Sequence, residues 1–146
     1  MDVPHNAFVV VADGEKMLLF RNQGDDEFPH LVVIEEDEQQ SVANRDLRRD
    51  APGRSFSSVG PGRSAYKEAD SRQLGEDRFA AETAAMLNRR ALENEFESLI
   101  IVAPPQTLGE LRKFYHDELQ RRVSGELPKN LTNTPVNEIE RILQEN

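Results

Sequence analysis

Short blocks of apolar residues separated by polar punctuation fill the first and last parts of the chain and vanish between them. Ala7-Phe8-Val9-Val10-Val11-Ala12 is a continuous apolar run of strand length, rich in β-branched residues. Such a run suits a central strand buried on both faces. Asp13-Gly14 follows, the dipeptide that supplies the positive φ angles of a two-residue hairpin turn. Lys16-Met17-Leu18-Leu19-Phe20-Arg21 is then a second strand. A third, Leu31-Val32-Val33-Ile34, follows a polar break containing Gly24, Asp25, Asp26 and Pro29. Three strands joined by short turns make an antiparallel meander.

From Glu35 to about Leu74 the pattern disappears. Glu35-Glu36-Asp37-Glu38 gives way to a stretch rich in Gly, Pro, Ser and Arg, including Ala51-Pro52-Gly53-Arg54 and Gly60-Pro61-Gly62-Arg63. Such residues have little to bury and keep the backbone solvated. The expectation is a mobile loop at about 37–74, and a loop of that length inside a compact domain is usually functional or disordered.

Order returns at Leu74. Ala80, Ala84, Leu87 and Ala91 recur at helical spacing through Phe96, with Phe79, Met86 and Leu92 beside them. The spacing predicts a long amphipathic helix whose small alanines allow close packing on a sheet. Ser98-Leu99-Ile100-Ile101-Val102-Ala103 is a second fully buried strand, stopped by Pro104-Pro105. Thr107 and Glu110 have the spacing of a capping box, which places a helix start at Thr107 with Leu108, Leu111 and Tyr115 inward. A weak strand signal spans Val123 to Leu127. A last helix takes Thr134 as cap and Pro135 at its first position, burying Val136, Ile139 and Leu143. The order is β-β-β, long loop, α-β-α-β-α: an α/β chain with a mixed sheet and helices packed on it, in one domain over 1–146.

Charge adds a second layer to this picture. The 146 residues carry a net charge of −9, which opposes tight non-specific binding to nucleic acid. Residues 45–72 depart from it. They hold Arg45, Arg48, Arg49, Arg54, Arg63, Lys67 and Arg72 against four acids, a local +3 that leaves −12 for the rest. That is either a solvated stretch of mixed charge or a basic finger on an acidic body. No run nears the roughly 20 apolar residues of a membrane span, and Met1–Asn6 lacks the basic start of a secretory signal. With no cysteine, disulfides and thiolate chemistry are excluded. The expectation is a cytoplasmic protein without membrane insertion.

Catalytic templates find no match. His5, His30 and His116 lie in different elements without metal-ligand spacing, and Ser55, Ser57 and Ser58 lack a nucleophile-elbow setting. Gly60-Pro61-Gly62-Arg63 is no phosphate loop, since Pro61 removes a backbone N–H and the lysine and hydroxyl are missing. Asp13, at the end of the first strand, stands where ribonuclease H-like nucleases begin a metal site. The hairpin turn accounts for it more simply, and Ala103-Pro104-Pro105 supplies no partner acid. The expectation is a chain without enzymatic activity, metal or cofactor.

One set of motifs is more specific. Val11-Ala12-Asp13-Gly14, Ala51-Pro52-Gly53-Arg54, Gly60-Pro61-Gly62-Arg63 and Phe79-Ala80 are joined by Val102-Ala103-Pro104-Pro105, Leu108-Gly109-Glu110-Leu111-Arg112 and Lys129-Asn130-Leu131-Thr132. Together they resemble the bacterial host attachment protein family, whose members are described as required for attachment to host cells. That family in turn distantly resembles the middle domain of archaeal and eukaryotic peptide release factors and Pelota. The resemblance implies a ribonuclease H-like mixed sheet, in agreement with the element order. Release factors carry Gly-Gly-Gln on a mobile loop of this domain; this chain has none. Peptidyl-tRNA hydrolysis is therefore not carried over.

Two functional readings follow, both centred on residues 45–72. In one, the segment binds a protein partner, and the chain is an intracellular interaction factor that influences host attachment. In the other, it binds the ribosome or structured RNA as a translation-associated module. Arg54 and Arg63 would then contact phosphates, with Phe56 and Tyr66 stacking on bases, and Gly60 and Gly62 complete the candidate binding set of the loop. A nuclease using Asp13, or a hydrolase using the loop, is a third. Arg89-Arg90 and Arg121-Arg122 read as solvated faces.

Overall fold

The computed structural model describes the backbone of residues 1–39 and 61–146, and the side chains of all of these except 61–69. Five strands form one sheet in the order β3-β2-β1-β4-β5: β1 Phe8–Ala12, β2 Lys16–Asn22, β3 Leu31–Glu38, β4 Leu99–Val102 and β5 Val123–Leu127. The first three pair antiparallel, as the meander predicts, with Val10 opposite Leu19 and Phe20 opposite Val33. β4 joins β1 in parallel, Val9 beside Ile100, and β5 extends the sheet in parallel beyond it.

The unbroken apolar runs of β1 and β4 are explained by their central position. Every residue of both strands is buried, because each has a neighbour strand on either side and helices above and below. Alternation divides them between two cores. Phe8, Val10, Ala12, Leu99 and Ile101 face one way; Val9, Val11, Ile100 and Val102 face the other. β3 is one of the two edges, and its exposed residues include Glu36, Asp37 and Glu38. Charge on an edge strand opposes strand-to-strand aggregation.

Four helices cover the sheet: α1 Pro61–Leu92, α2 Pro105–Arg112, α3 Asp117–Arg122 and α4 Val136–Glu145. The first three contribute Phe79, Ala84, Leu87, Leu108, Leu111 and Leu119 to one core. α4 seals the other with Ile139 and Leu143. The molecule is a three-layer α/β/α sandwich, and each fully buried leucine or phenylalanine stabilises it by about 1.5–3 kcal/mol. Glu140 of α4 accepts the Leu31 N–H at 2.8 Å, which fixes the start of β3. The Met1 ammonium meets the backbone oxygen of Asn146, so the two chain ends touch.

Several boundaries differ from the sequence expectation. The stretch expected to be a loop over 37–74 is strand as far as Glu38 and helix from Pro61. Pro61 suits a first helical position, where its missing N–H has no partner to lose, and Ser64 to Leu74 contains no further breaker. α2 begins at Pro105, not Thr107. Its N-cap is Pro104, so the Thr107–Glu110 capping box does not form. Tyr115 lies past the end of α2, in the turn leading to α3, a short helix the pattern does not predict. Pro135 is the N-cap of α4 instead of its first residue, one position from the expectation. The mobility expected of residues 40–60 concerns positions outside the described residues.

Candidate functional site

A cleft opens at the carboxyl ends of the parallel pair β1 and β4. This is the location favoured for ligands in sheets of this kind, where consecutive connections depart in opposite directions. It has a volume of about 280 Å³. Asp13, Gly14 and Glu15 enter from the β1–β2 turn, Glu76 and Asp77 from α1, Gln106 and Glu110 from α2, and Asn130 from the loop after β5.

Asp13 builds the turn with its side chain. One carboxylate oxygen accepts the backbone N–H groups of Glu15 and Lys16, each at 2.8 Å. Its own N–H donates to the Lys16 carbonyl at 2.9 Å. Neither Asp13 nor Gly14 takes a positive φ, so the expected positive-φ hairpin is replaced by a side-chain-capped turn. The other carboxylate oxygen accepts the hydroxyl of buried Thr132 at 2.8 Å, across 119 residues of sequence. Gly14 lies against the Glu76 side chain, which would have to swing aside for any Cβ there.

The cleft wall is acidic, and the charges act on one another. Burial raises the affinity of the Glu76 carboxyl for its proton, and Glu15, Asp13 and Asp77 raise it further against the opposing pull of Arg72. Among the described residues no group of three His, Asp or Glu is arranged to hold a metal ion. A wall of this sign repels phosphate.

The cleft is bordered by Gln39. This residue donates its backbone N–H to the Glu15 carbonyl at 2.8 Å and its side-chain amide to the Gly14 carbonyl at 2.8 Å. α1 begins at Pro61 and passes the cleft at Glu76 and Asp77. Residues 70–74 of that helix are exposed, and continuous packing begins at Phe79.

The residues singled out in the sequence fall in two groups. Arg54, Phe56 and Gly60 lie outside the described residues. Gly62, Arg63 and Tyr66 fall on the first two turns of α1 instead of a loop. The double-arginine positions are not uniformly solvated faces. Arg90 is partly buried and pairs with Glu35 and with Glu95, the latter at 2.6 Å. Arg122 bonds Glu118 at 2.9 Å, Asn94 and the Phe96 carbonyl. Arg90 fastens α1 to the β3 edge, and Arg122 ties the end of α3 to the loop before β4.

Two buried asparagines were not legible as important. Asn22 donates to the Val3 carbonyl at 2.8 Å and accepts the N–H groups of Gly24 at 2.9 Å and His30 at 2.8 Å. Asn88 on α1 donates to the Phe114 carbonyl at 2.8 Å and accepts the His116 N–H at 3.0 Å. The sole sequence signal for either is a polar residue at a position where the apolar period calls for burial.

No helix among the described residues is long and apolar enough to cross a membrane. No curated protein matches the chain. The family model for bacterial archaeo-eukaryotic release factor family 12 matches residues 6–143, nearly the full chain, and agrees with the release-factor resemblance of its motifs and with its mixed five-stranded sheet. The chain belongs to bacterial archaeo-eukaryotic release factor family 12.

Proposed function

We propose that this chain is a non-catalytic translation-associated factor that binds the ribosome or structured RNA through the basic segment 45–72. The observation that carries this reading is membership of a release-factor family over residues 6–143. Charge supports the choice of surface: the cleft is lined by carboxylates, whereas seven of the chain's 18 lysines and arginines fall within residues 45–72. Arg54 and Arg63 contact phosphates, and Phe56 and Tyr66 stack on exposed bases. The chain lacks Gly-Gly-Gln, so the role is binding without hydrolysis of peptidyl-tRNA. An influence on attachment to host cells then arises indirectly, through altered translation of surface components.

The test is co-sedimentation of the tagged chain with ribosomes from lysate at low and moderate salt, beside an Arg54→Ala/Arg63→Ala variant. The wild type is expected in the ribosomal fraction at low salt and free at moderate salt, because released counterions make phosphate contacts salt-sensitive. The variant is expected at the top of the gradient throughout. If the wild type also stays there under both conditions, the ribosomal reading fails, and a protein partner for the same segment takes its place.

A further inference from the structure

We infer that Glu76 is an acid-controlled latch on α1: uncharged, it holds the helix against the β1–β2 turn, and ionised, it lets the part before Gly75 come away. α1 is 32 residues long, yet its hold on the body is uneven. From Phe79 onward it is packed, with Phe79, Ala80, Ala84 and Leu87 in the core. Residues 70–74 are exposed, Leu74 by 64 % despite its apolar side chain. Gly75 stands at the junction between the two parts. A glycine inside a helix costs about 1 kcal/mol relative to alanine, so the junction is also where α1 is easiest to open.

The contacts that tie this junction to the body are polar. Gln106 of α2 donates its amide to the Gln73 side chain at 3.3 Å. Gln39, whose own amide is given to the Gly14 carbonyl, lies where a Cβ on Gly75 would meet it at 3.3 Å. Glu76 crosses to the turn itself, its carboxyl lying against Gly14. That last contact depends on charge. Glu76 is half-buried, and among the described residues its carboxyl has neither a hydrogen-bond donor nor an ion-pair partner. Facing it are Glu15 and Asp13 from the turn, Arg72 and Asp77 from its own helix, and Glu110 across the cleft on α2, itself paired with Lys113 at 2.9 Å. Burial first, then Glu15, with Asp13 and Asp77 behind, hold the Glu76 proton to higher pH against the pull of Arg72.

A neutral carboxyl rests on the glycine backbone at little cost. A carboxylate in the same place is partly stripped of water among like charges, and moving away relieves both penalties. The packed half of α1 cannot follow without uncovering Phe79 and Ala80, so the motion is taken up at Gly75. The contact is therefore complete below the ordinary glutamate range and is lost as pH rises through the raised value. The part released carries Arg63, Lys67 and Arg72. The latch thus sets how a basic arm stands on the body, whatever that arm binds.

Amide hydrogen exchange of the full chain, resolved by residue and corrected for the intrinsic pH dependence of exchange, tests this. Protection at Gln73–Asp77 is expected to fall by about threefold or more between about pH 4 and about pH 8, while protection from Phe79 to Leu92 holds. Glu76→Gln, an uncharged carboxamide of nearly the same shape, is expected to keep the low-pH protection throughout. Gly75→Ala is expected to reduce the loss by stiffening the junction, the flexible end of Gln39 giving way to the new methyl group. Wild-type protection that is flat with pH, a loss that either substitution leaves unchanged, or a loss that runs on equally through Phe79–Leu92 would each overturn the proposal.

Discussion

Asp13 uses both carboxylate oxygens within its own chain: one closes the β1–β2 turn, the other takes the Thr132 hydroxyl from the loop after β5. A group so engaged organises the cleft, and the chemistry of that cleft depends on its neighbours. Glu76 shows this in its titration. Burial, then Glu15, Asp13 and Asp77, hold its proton to higher pH than in the unfolded chain. Between the two pKa values the native state binds more protons. Stability is therefore complete below the ordinary glutamate range and falls as pH rises through the raised value. Glu76→Gln is expected to raise Tm at pH 7 and to leave it unchanged at pH 3. Melting curves of both proteins across that range check it, and parallel curves would contradict it.

At the scale of single elements, α1 illustrates what sequence periodicity can and cannot reveal. Its packed stretch was legible, because Ala80, Ala84, Leu87 and Ala91 recur at helical spacing and are all buried. The alanines set how close the helix sits to the sheet. Ala84→Leu, at a fully buried position, is expected to destabilise by about 1–3 kcal/mol through overpacking. Ala85→Leu, next to it and exposed, is expected to stay within about 0.5 kcal/mol. Thermal or urea denaturation of the pair separates packing from helix propensity. The start of α1 was not legible, because Gly60-Pro61-Gly62 reads as a loop by local preference while Pro61 also fits a helix start. The same ambiguity displaced α2: Thr107 and Glu110 carry capping-box residues, but Pro104-Pro105 begins the helix before they can act. Strands β1 and β4 were readable because burial on both faces demands unbroken apolar runs, and β2 through its Met17–Phe20 block. β3 ran beyond its apolar residues into Glu35–Glu38, since an edge strand needs little hydrophobic content to stay paired.

Across the whole molecule, the mixed sheet with helices packed on it followed from the order of elements, whereas the cleft did not. Its walls come from residues 13–15, 73–80, 104–110 and 130, which are brought together by strand order alone, and no local motif announces them. The basic segment was the reverse: plain in composition, and placed mainly outside the described residues. The length of α1 connects the two. At 1.5 Å per residue, the backbone of Lys67 and Arg63 lies about 18 and 24 Å along the helix from Phe79, where packing on the sheet begins. The Debye length is about 8 Å at physiological ionic strength and about 30 Å at 0.01 M. At physiological ionic strength, then, the first turns of α1 are screened from the carboxylates of the β1–β2 turn, and the acids that weigh on Arg63 and Lys67 are those of the helix itself, Glu68 and Asp70. In dilute buffer that screening is lost. RNA affinity plotted against salt on logarithmic axes is expected to be straight above about 0.1 M and to flatten toward 0.01 M, whereas a line that stays straight would place body and basic segment within one shared field.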